Sequence, residues 1–331
     1  MEKHVVKIYS DRIRREVTKL YGTKPEALKL LGDIENFVYS YPHDGQERIL
    51  RVTHSSHRTE EDIRGEIDWL NYLAARGVPA AMAHTSPQGN LVEKVDAKDG
   101  SYFLVVSFEK APGKLLGQGE WTPDLIEEWG RIVGMTHRLT KDYPDPGKEI
   151  RREHWHEFDY LRWDHYIPSD QLIVLEKCKA LVERLKKLPC DRETYGLVHT
   201  DMHQSNLLVD GKRLTVIDFD DAHHIWFAGD IATLLFYSRW LGGADADMAE
   251  FVRFFLKNFW KGYEKENQLD DWWKETYHDF LKLREMVTYV FIYKKLDVND
   301  LDERGRAIMA RYKQNIENDA PLVNVDFTRI G

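Results

Sequence analysis

The chain has 331 residues, enough to bury a substantial core in one large domain or two lobes. It is 42% hydrophobic and 31% charged with a net charge of −9; this excludes a disordered chain and argues against a nucleic-acid partner, which needs a basic face. No apolar run approaches the ~20 residues that cross a bilayer, so no membrane partner is expected. The N-terminus, MEKHVVKIYSDRIRREV, is too charged for a signal peptide and too acidic for a transit peptide. Cys178 and Cys190 are the only cysteines and lack metal or redox spacing, so a reducing cytoplasm is the simplest compartment.

In chain order, residues 8–20 read as a helix with Asp11 as its N-cap. Strand-like runs follow in ALKLL, NFVYSY and RILRV, separated by Gly32–Asp33 and by the turn-forming PHDGQ. A strong helix covers about 59–76, where Thr59 and Asp62 stand close to a capping box. LVEKV and YFLVVSF read as two more strands, so residues 1–108 form a β-rich unit with one central helix. From Pro112–Gly113 helical periodicity dominates, over about 122–141, 170–187, 229–240, 246–264, 271–296 and 302–317. The strand-like exceptions are 194–199, 206–209 and 214–218. Strands first and helices later predict an α+β protein of two lobes, 1–108 and 109–331.

The densest polar stretch is Val198–Asp221, VHTDMHQSNLLVDGKRLTVIDFDD. One reading is a metal site, because His199 and His203 are four apart, or because His199-x-Asp201 begins a two-His-one-carboxylate iron set. It lacks the H-E-x-x-H pattern and a surrounding helix. His154, His156, His223 and His224 read as polar surface or loop residues. A loop of turn-capping aspartates explains one or two acids, but not the order His-x-Asp, Asn five on, then Asp-Phe-Asp after another strand. Phosphoryl transfer explains that order. Kinases use H-R-D-x-x-x-x-N followed by a metal-binding D-F-G. Here Asp201 would take or orient the proton of the attacking hydroxyl, and Asn206 and Asp218 would converge on Mg²⁺ across the phosphates of ATP.

A second constellation points the same way. In the helix at 59–76, Glu66 lies on the apolar stripe of Ile63, Ile67 and Leu70, and a carboxylate there requires a cation. Arg51, alternating with Leu50 and Val52 on the preceding strand, offers one. A kinase needs such a strand cation paired to a helix glutamate to hold the phosphates.

These residues resemble the aminoglycoside phosphotransferase family, which includes choline kinase-like and type II homoserine kinase-like enzymes. The resemblance is strongest from VHTDMHQSNLLV through IDFDDA to AGDIATLL, and weaker in LGDIENFVYS, RILRV, RGEIDWLNYL and SFEKAPG. It implies a bilobal protein-kinase-like fold, with a β-rich N-lobe and a mainly helical C-lobe, that moves the γ-phosphate of ATP to a small-molecule hydroxyl. By resemblance, Asp201 is the base, Asn206 and Asp218 are Mg²⁺ ligands, and Arg51 with Glu66 positions phosphate. Backbone near Phe108 and Lys110 would meet adenine, and Asp230 would brace the catalytic loop. The chain departs from the pattern at Arg51, where lysine is commoner, at Gly32, the lone glycine of the expected phosphate loop, and at Asp220, which replaces the glycine of D-F-G.

Only eleven residues separate Asp218 from Asp230, which leaves little room for a phospho-regulated activation loop and tilts against a protein Ser/Thr kinase. A catalytically silent nucleotide-binding protein has no physical need for Asp201, Asn206 and Asp218 together. Residues 1–108 sum to about −1 and 109–331 to about −8. Such a field, reinforced by Asp201, Asp218, Asp220 and Asp221, predicts an amine-bearing acceptor: an amino alcohol, a hydroxy-amino acid or an amino sugar. Trp260, Trp272, Trp273 and Tyr277 read as core.

Overall fold

In the strand around Arg51 the side chains alternate, and this two-residue period divides the N-terminal unit into two packed faces. The computed structural model describes residues 3–144, 147, 150–239, 241 and 247–330. Its sheet takes the order β1 (Lys29–Gly32), β2 (Phe37–His43), β3 (Gln46–His54), β6 (Tyr102–Glu109), β4 (Ala83–His84), with β5 (Glu93–Asp96) also pairing β6, all antiparallel. Leu50, Val52, Phe103 and Val105 point to one side, where Ile13 and Val17 of a helix packed on that face complete a small core. Leu104, Val106 and Phe108 point to the other and join Ile63, Ile67 and Leu70 of α3 (Glu60–Ala74) in the main core. Arg51 lies on this second side, facing Glu66.

The helix on the first face is α2 (Asp11–Leu20), preceded by the short α1 (Lys3–Ile8). The expected single helix over 8–20 is thus corrected: Ser10 is the N-cap, and Asp11 is the first helical residue. The N-terminal unit also carries α1, which its short, charged sequence did not reveal. The turn at PHDGQ forms with Asp44 and Gly45 both at positive φ, +49° and +79°, as a tight hairpin requires. α3 begins in a true capping box: the Thr59 side chain accepts from Asp62 N–H, and the Asp62 carboxylate accepts from Thr59 N–H.

The C-terminal unit is helical: α4 (Pro123–Lys141), α5 (Trp163–Tyr166), α6 (Leu172–Leu185), α7 (Phe227–Ser238), α8 (Met248–Tyr263), α9 (Trp272–Lys295) and α10 (Glu303–Glu317). Residues 240 and 246, at the expected ends of two of these helices, lie outside the described residues. Two small antiparallel sheets interrupt the helices, β7 (Tyr195–Val198) with β10 (His223–Trp226) and β8 (Leu207–Asp210) with β9 (Arg213–Val216). β10 corrects the reading of His223 and His224 as surface or loop residues, since His223 is buried and pairs with Val198. Short strands carrying two histidines have no apolar alternation to betray them. Trp260, Trp273 and Tyr277 are buried and Trp272 is half-buried, as core residues. Among the described residues no helix is long and apolar enough to cross a membrane.

α4 and α8 cross in contact through glycines. A Cβ on Gly130 would lie 1.9 Å from the Phe259 carbonyl oxygen, and one on Gly262 would lie 1.7 Å from that of Glu127. Since α4 also carries His137 to the site, this crossing must stay tight. Gly130→Ala should lower stability by about 1–3 kcal/mol through overpacking, read as a lower urea midpoint. An unchanged midpoint would show that the helices do not need this approach.

Candidate active site

β8 and β9 close on Gly211 (φ +63°) and pair Leu207 with Val216. At the open end of this hairpin Ile217 N–H donates to the Asn206 carbonyl at 3.0 Å. That register sets Asn206 and Asp218 side by side. Asn206 Nδ2 donates to the Asp201 backbone oxygen at 2.9 Å and to Asp201 Oδ2 at 3.1 Å, which leaves the Asn206 amide oxygen for another partner. Asp218 has φ +62° and a half-exposed side chain, with its Oδ1 3.9 Å from Arg51 Nη1. Displacement of water, then the charge of Asp220, push its carboxyl up to about 7 against the pull of Arg51. A carboxylate crowded by acids and open to the cleft fits a divalent cation, which would reverse that shift.

The Asp201 carboxylate has His203 Nε2 at 3.3 Å and Arg284 Nη2 at 3.6 Å. Burial alone would raise its pKa, but His203, then Arg284 and His199, hold it below the ordinary value. It is therefore ionised at neutral pH. The preceding Thr200 has φ +60°, an unfavourable conformation for a β-branched residue. It is held there by Asp230, whose Oδ1 accepts Thr200 N–H at 2.7 Å, and by its own hydroxyl, which donates to the Asp221 carbonyl at 2.7 Å. The second Asp230 oxygen meets His137 Nε2 at 2.9 Å, and His137 Nδ1 meets the Tyr263 hydroxyl at 2.9 Å. Asp230 thus touches the loop and not the cleft.

The metal reading of the histidines is corrected here. His199 is fully buried, donates Nε2–H to the Ile217 carbonyl at 3.2 Å and accepts Asp201 N–H on Nδ1 at 3.3 Å. Both ring nitrogens are committed to backbone, so it cannot ligate. His203 Nδ1 accepts Ser205 N–H at 3.1 Å.

Arg51 and Glu66 meet as a bidentate pair, at 2.7 Å and 2.5 Å, both buried. The Glu66 charge reverses the lowering that burial alone would impose and raises the Arg51 pKa. The guanidinium lies 5.1 Å from the Phe108 ring centroid, and its Nε is buried without a hydrogen-bond partner. Phe108 is therefore under the arginine, while the Lys110 ammonium is exposed and turned to Glu47.

Sequence reasoning missed the residues that hold the D-F-D segment. Asp220 Oδ1 accepts from Arg58 Nε at 3.1 Å, and its Oδ2 meets His57 Nε2 at 2.7 Å and Asn36 Nδ2 at 3.1 Å. Burial opposes ionisation, yet Arg58, then His57 and Arg51, hold Asp220 well below the usual carboxylate range. Arg58 Nη2 also donates to Asp221 at 2.6 Å, so one guanidinium offsets half the charge of the Asp220–Asp221 pair, and Asp201 and Asp218 also have cations within 4 Å. Arg152 donates to the carbonyls of Asp220, Ala222 and Asp62. Asn36, the first residue of the strand-like run NFVYSY, and Arg152, in a segment assigned no element, carry no sequence signal of such a role. His137, set among Ile132, Val133 and Thr136 on α4, did carry one.

If Arg51 and Glu66 depend on each other, removing either leaves a buried charge unpaired. Arg51→Met and Glu66→Gln should each lower stability by about 3 kcal/mol or more, and the double variant by ~1–3 kcal/mol less than their sum. Urea unfolding of the four chains measures this, and additive losses would separate the two residues.

Residues 26–272 match the phosphotransferase enzyme family. The chain is 35% identical to the amicoumacin kinase of Bacillus subtilis (strain 168) over 332 residues, covering 100% of this chain and 99% of that protein. It superposes on the structure of the amicoumacin kinase hAmiN in complex with AMP-PNP, Ca²⁺ and Ami with a TM-score of 0.96 at 35% identity, covering 100% of both chains. A microcompartment-associated aminopropanol kinase is similar in fold, with a TM-score of 0.75 at 22% identity over 93% of this chain and 95% of that one. No activation segment intervenes after Asp218, because β10 and α7 follow at once, and neither the protein-kinase nor the silent-binder alternative is favoured. The chain belongs to the phosphotransferase enzyme family and is an ATP-dependent kinase that phosphorylates a hydroxyl of a small molecule.

Proposed function

We propose that the chain phosphorylates an amine-bearing small-molecule alcohol, with amicoumacin the first candidate, using Asp201 as base and Mg-ATP as donor. The observation that carries this reading is the full-length similarity to amicoumacin kinases, one of them bound to AMP-PNP, Ca²⁺ and Ami. The name of the aminopropanol kinase also supports an amine on the acceptor. The charge argument supports it less than the sequence suggested, because Arg58 neutralises much of the Asp220–Asp221 pair.

In this reading residues 1–108 hold the nucleotide and 109–331 hold the acceptor. The acceptor hydroxyl sits against the ionised Asp201, which takes its proton as the new O–P bond forms and the β–γ bridging bond breaks, the electron pair leaving on ADP. The Asn206 amide oxygen and the Asp218 carboxylate would hold Mg²⁺. When bound, that ion supplies positive charge to the β- and γ-phosphates. Arg51, fixed by Glu66, offers its unpartnered Nε to a phosphate oxygen. Backbone at Phe108 and Lys110, next to Glu109 N–H bonded to the Met82 carbonyl at 2.9 Å, lines the adenine end. Both cysteines are free, which fits a cytoplasmic enzyme.

Incubation with Mg-ATP and amicoumacin, 1-aminopropan-2-ol or propane-1,2-diol tests the acceptor class. Phosphate-ester formation, followed by phosphorus NMR, should favour the amines. Ester formed equally from the diol, or from none of the three, would contradict it.

Asp201→Asn should reduce transfer by about 10²-fold or more while Mg-ATP binding persists. Asp218→Ala should instead abolish the gain in ATP affinity that magnesium confers. Calorimetry with and without Mg²⁺, beside turnover, separates these outcomes. Near-wild-type transfer by the first variant, or a surviving magnesium gain in the second, would remove that residue from its role.

A further inference from the structure

The helix that carries Glu66 faces two ways. Ile63, Ile67 and Leu70 of α3 point to the sheet and share its core. Round the helix from them, Asp62, Gly65, Asp68, Trp69 and Tyr72 fall on a second face, and each of these meets the C-terminal unit. The Asp62 carbonyl accepts from Arg152 Nη1 at 2.9 Å. Trp69 Nε1–H donates to the Thr140 hydroxyl at 2.9 Å, which donates in turn to the Leu197 carbonyl at 2.8 Å. The Tyr72 hydroxyl donates to the Leu139 carbonyl at 3.1 Å, and the Tyr143 hydroxyl to Asp68 Oδ2 at 2.5 Å. Glu66 stands at the seam between the two faces.

The approach is closest at Gly65. A Cβ there would lie 2.7 Å from the Arg151 carbonyl oxygen and 3.1 Å from Arg152 Cδ. Glycine is a poor helix former, and here it lets the chain at 151–152 pass against the turn that carries Glu66. That chain is itself fixed: His224 N–H donates to the Glu153 carbonyl at 2.8 Å, and His154 pairs with His224 of β10. Arg152 is buried, and besides Asp62 its guanidinium donates to the carbonyls of Ala222 at 2.6 Å and Asp220 at 2.5 Å. All three hydrogen bonds go to carbonyls and none to a carboxylate. A buried cation without a paired acid is unfavourable; what it achieves is to hold one carbonyl of α3 and two from just after Asp218 on a single planar group.

In kinases the strand cation and the helix glutamate must be in place together, and movement of the helix controls that. We infer that Arg152 and Gly65 are positioning residues for the phosphate-holding pair: they fasten α3 to the C-terminal unit, so that Glu66 meets Arg51 whether or not nucleotide is bound. This rests on the phosphate role of Arg51 proposed above and deepens it. In this arrangement neither residue touches nucleotide, and both act through Glu66. Arg152 also ties α3 to the segment after Asp218, which sets the pair and the proposed metal ligand in one frame.

Calorimetry reads Mg-ATP affinity for Arg152→Met and Gly65→Ala, each alone and combined with Glu66→Gln, with urea midpoints showing that each chain is folded. Each single variant should weaken binding roughly tenfold, the scale of one hydrogen bond to a charged group. Arg152→Lys, which keeps the charge and can reach a carbonyl, should weaken it less. Beside Glu66→Gln both losses should vanish, because nothing is left to position, whereas a role in stability alone would leave the ATP affinity of the folded chains unchanged. Should a variant not fold, hydrogen exchange on the unaltered chain decides: α3 amides should gain no more protection from Mg-AMP-PNP than those of α4. Wild-type affinity in folded Arg152→Met and Gly65→Ala would overturn the inference. So would losses that persist beside Glu66→Gln, or about tenfold more protection gained by α3 than by α4. Full Mg-ATP affinity in Glu66→Gln would instead contradict the phosphate role of the Arg51–Glu66 pair, and the exchange result would still decide whether α3 is fastened.

Discussion

One buried carboxylate holds the catalytic loop in a backbone conformation it would not otherwise keep. Thr200 at φ +60° is in a region that costs a non-glycine residue of order 1–3 kcal/mol, and Asp230 Oδ1 on its N–H offsets that strain. Behind Asp230 the hydrogen bonds run on through His137, Tyr263 and Asn267 to Lys141. The brace is thus anchored on α4 and α8, whose glycine crossing brings His137 and Tyr263 together. In front of it stand Asp201 and Asn206. A loop carried only by its own turns would let Asp201 swing, and its proposed role as base requires it within hydrogen-bond reach of the proton it takes.

The acids of the site are kept apart by the company each keeps. Asp201 is held ionised by His203 and Arg284, Asp220 is pinned by Arg58, His57 and Asn36, and Asp218 is left half-open with a raised pKa. Only the last is free for a cation. Asp220 stands where ordinary kinases carry glycine, and its two oxygens tie the D-F-D segment to the loop after β1 and to the turn after β3. Glu35 and Lys295, 3.5 Å apart, link the same loop after β1 to α9. The segment that would flip in a regulated protein kinase is here fixed from both sides.

Much of this was legible in the sequence, and for physical reasons. Alternation on β3 and the helical stripe on α3 placed Arg51 and Glu66 face to face, and the pattern of acids around a hairpin located Asp201, Asn206 and Asp218. The capping box at Thr59–Asp62 was written in adjacent residues. What stayed hidden depends on distant parts of the chain: Asn36 and Asp220 are 184 positions apart, and Arg152 binds only carbonyls. β10 was missed because HHIW has no alternation, and α1 because its charged sequence carries little periodicity. The negative field was overstated for a related reason, since counting acids cannot reveal that Arg58 pairs with two of them and offsets half their charge.

The single-turnover rate of Asp230→Ala at saturating Mg-ATP and an accepted amine-bearing alcohol, with Mg-ATP affinity measured alongside, tests whether the brace sets the base. Released from Asp230, Thr200 should relax and displace Asp201, and misplacement on the ångström scale lowers transfer by ~10²-fold. Mg-ATP affinity should change only a few-fold, because Arg51, Glu66 and Asp218 do not contact Asp230. Transfer at a near-wild-type rate in a folded variant would contradict the account.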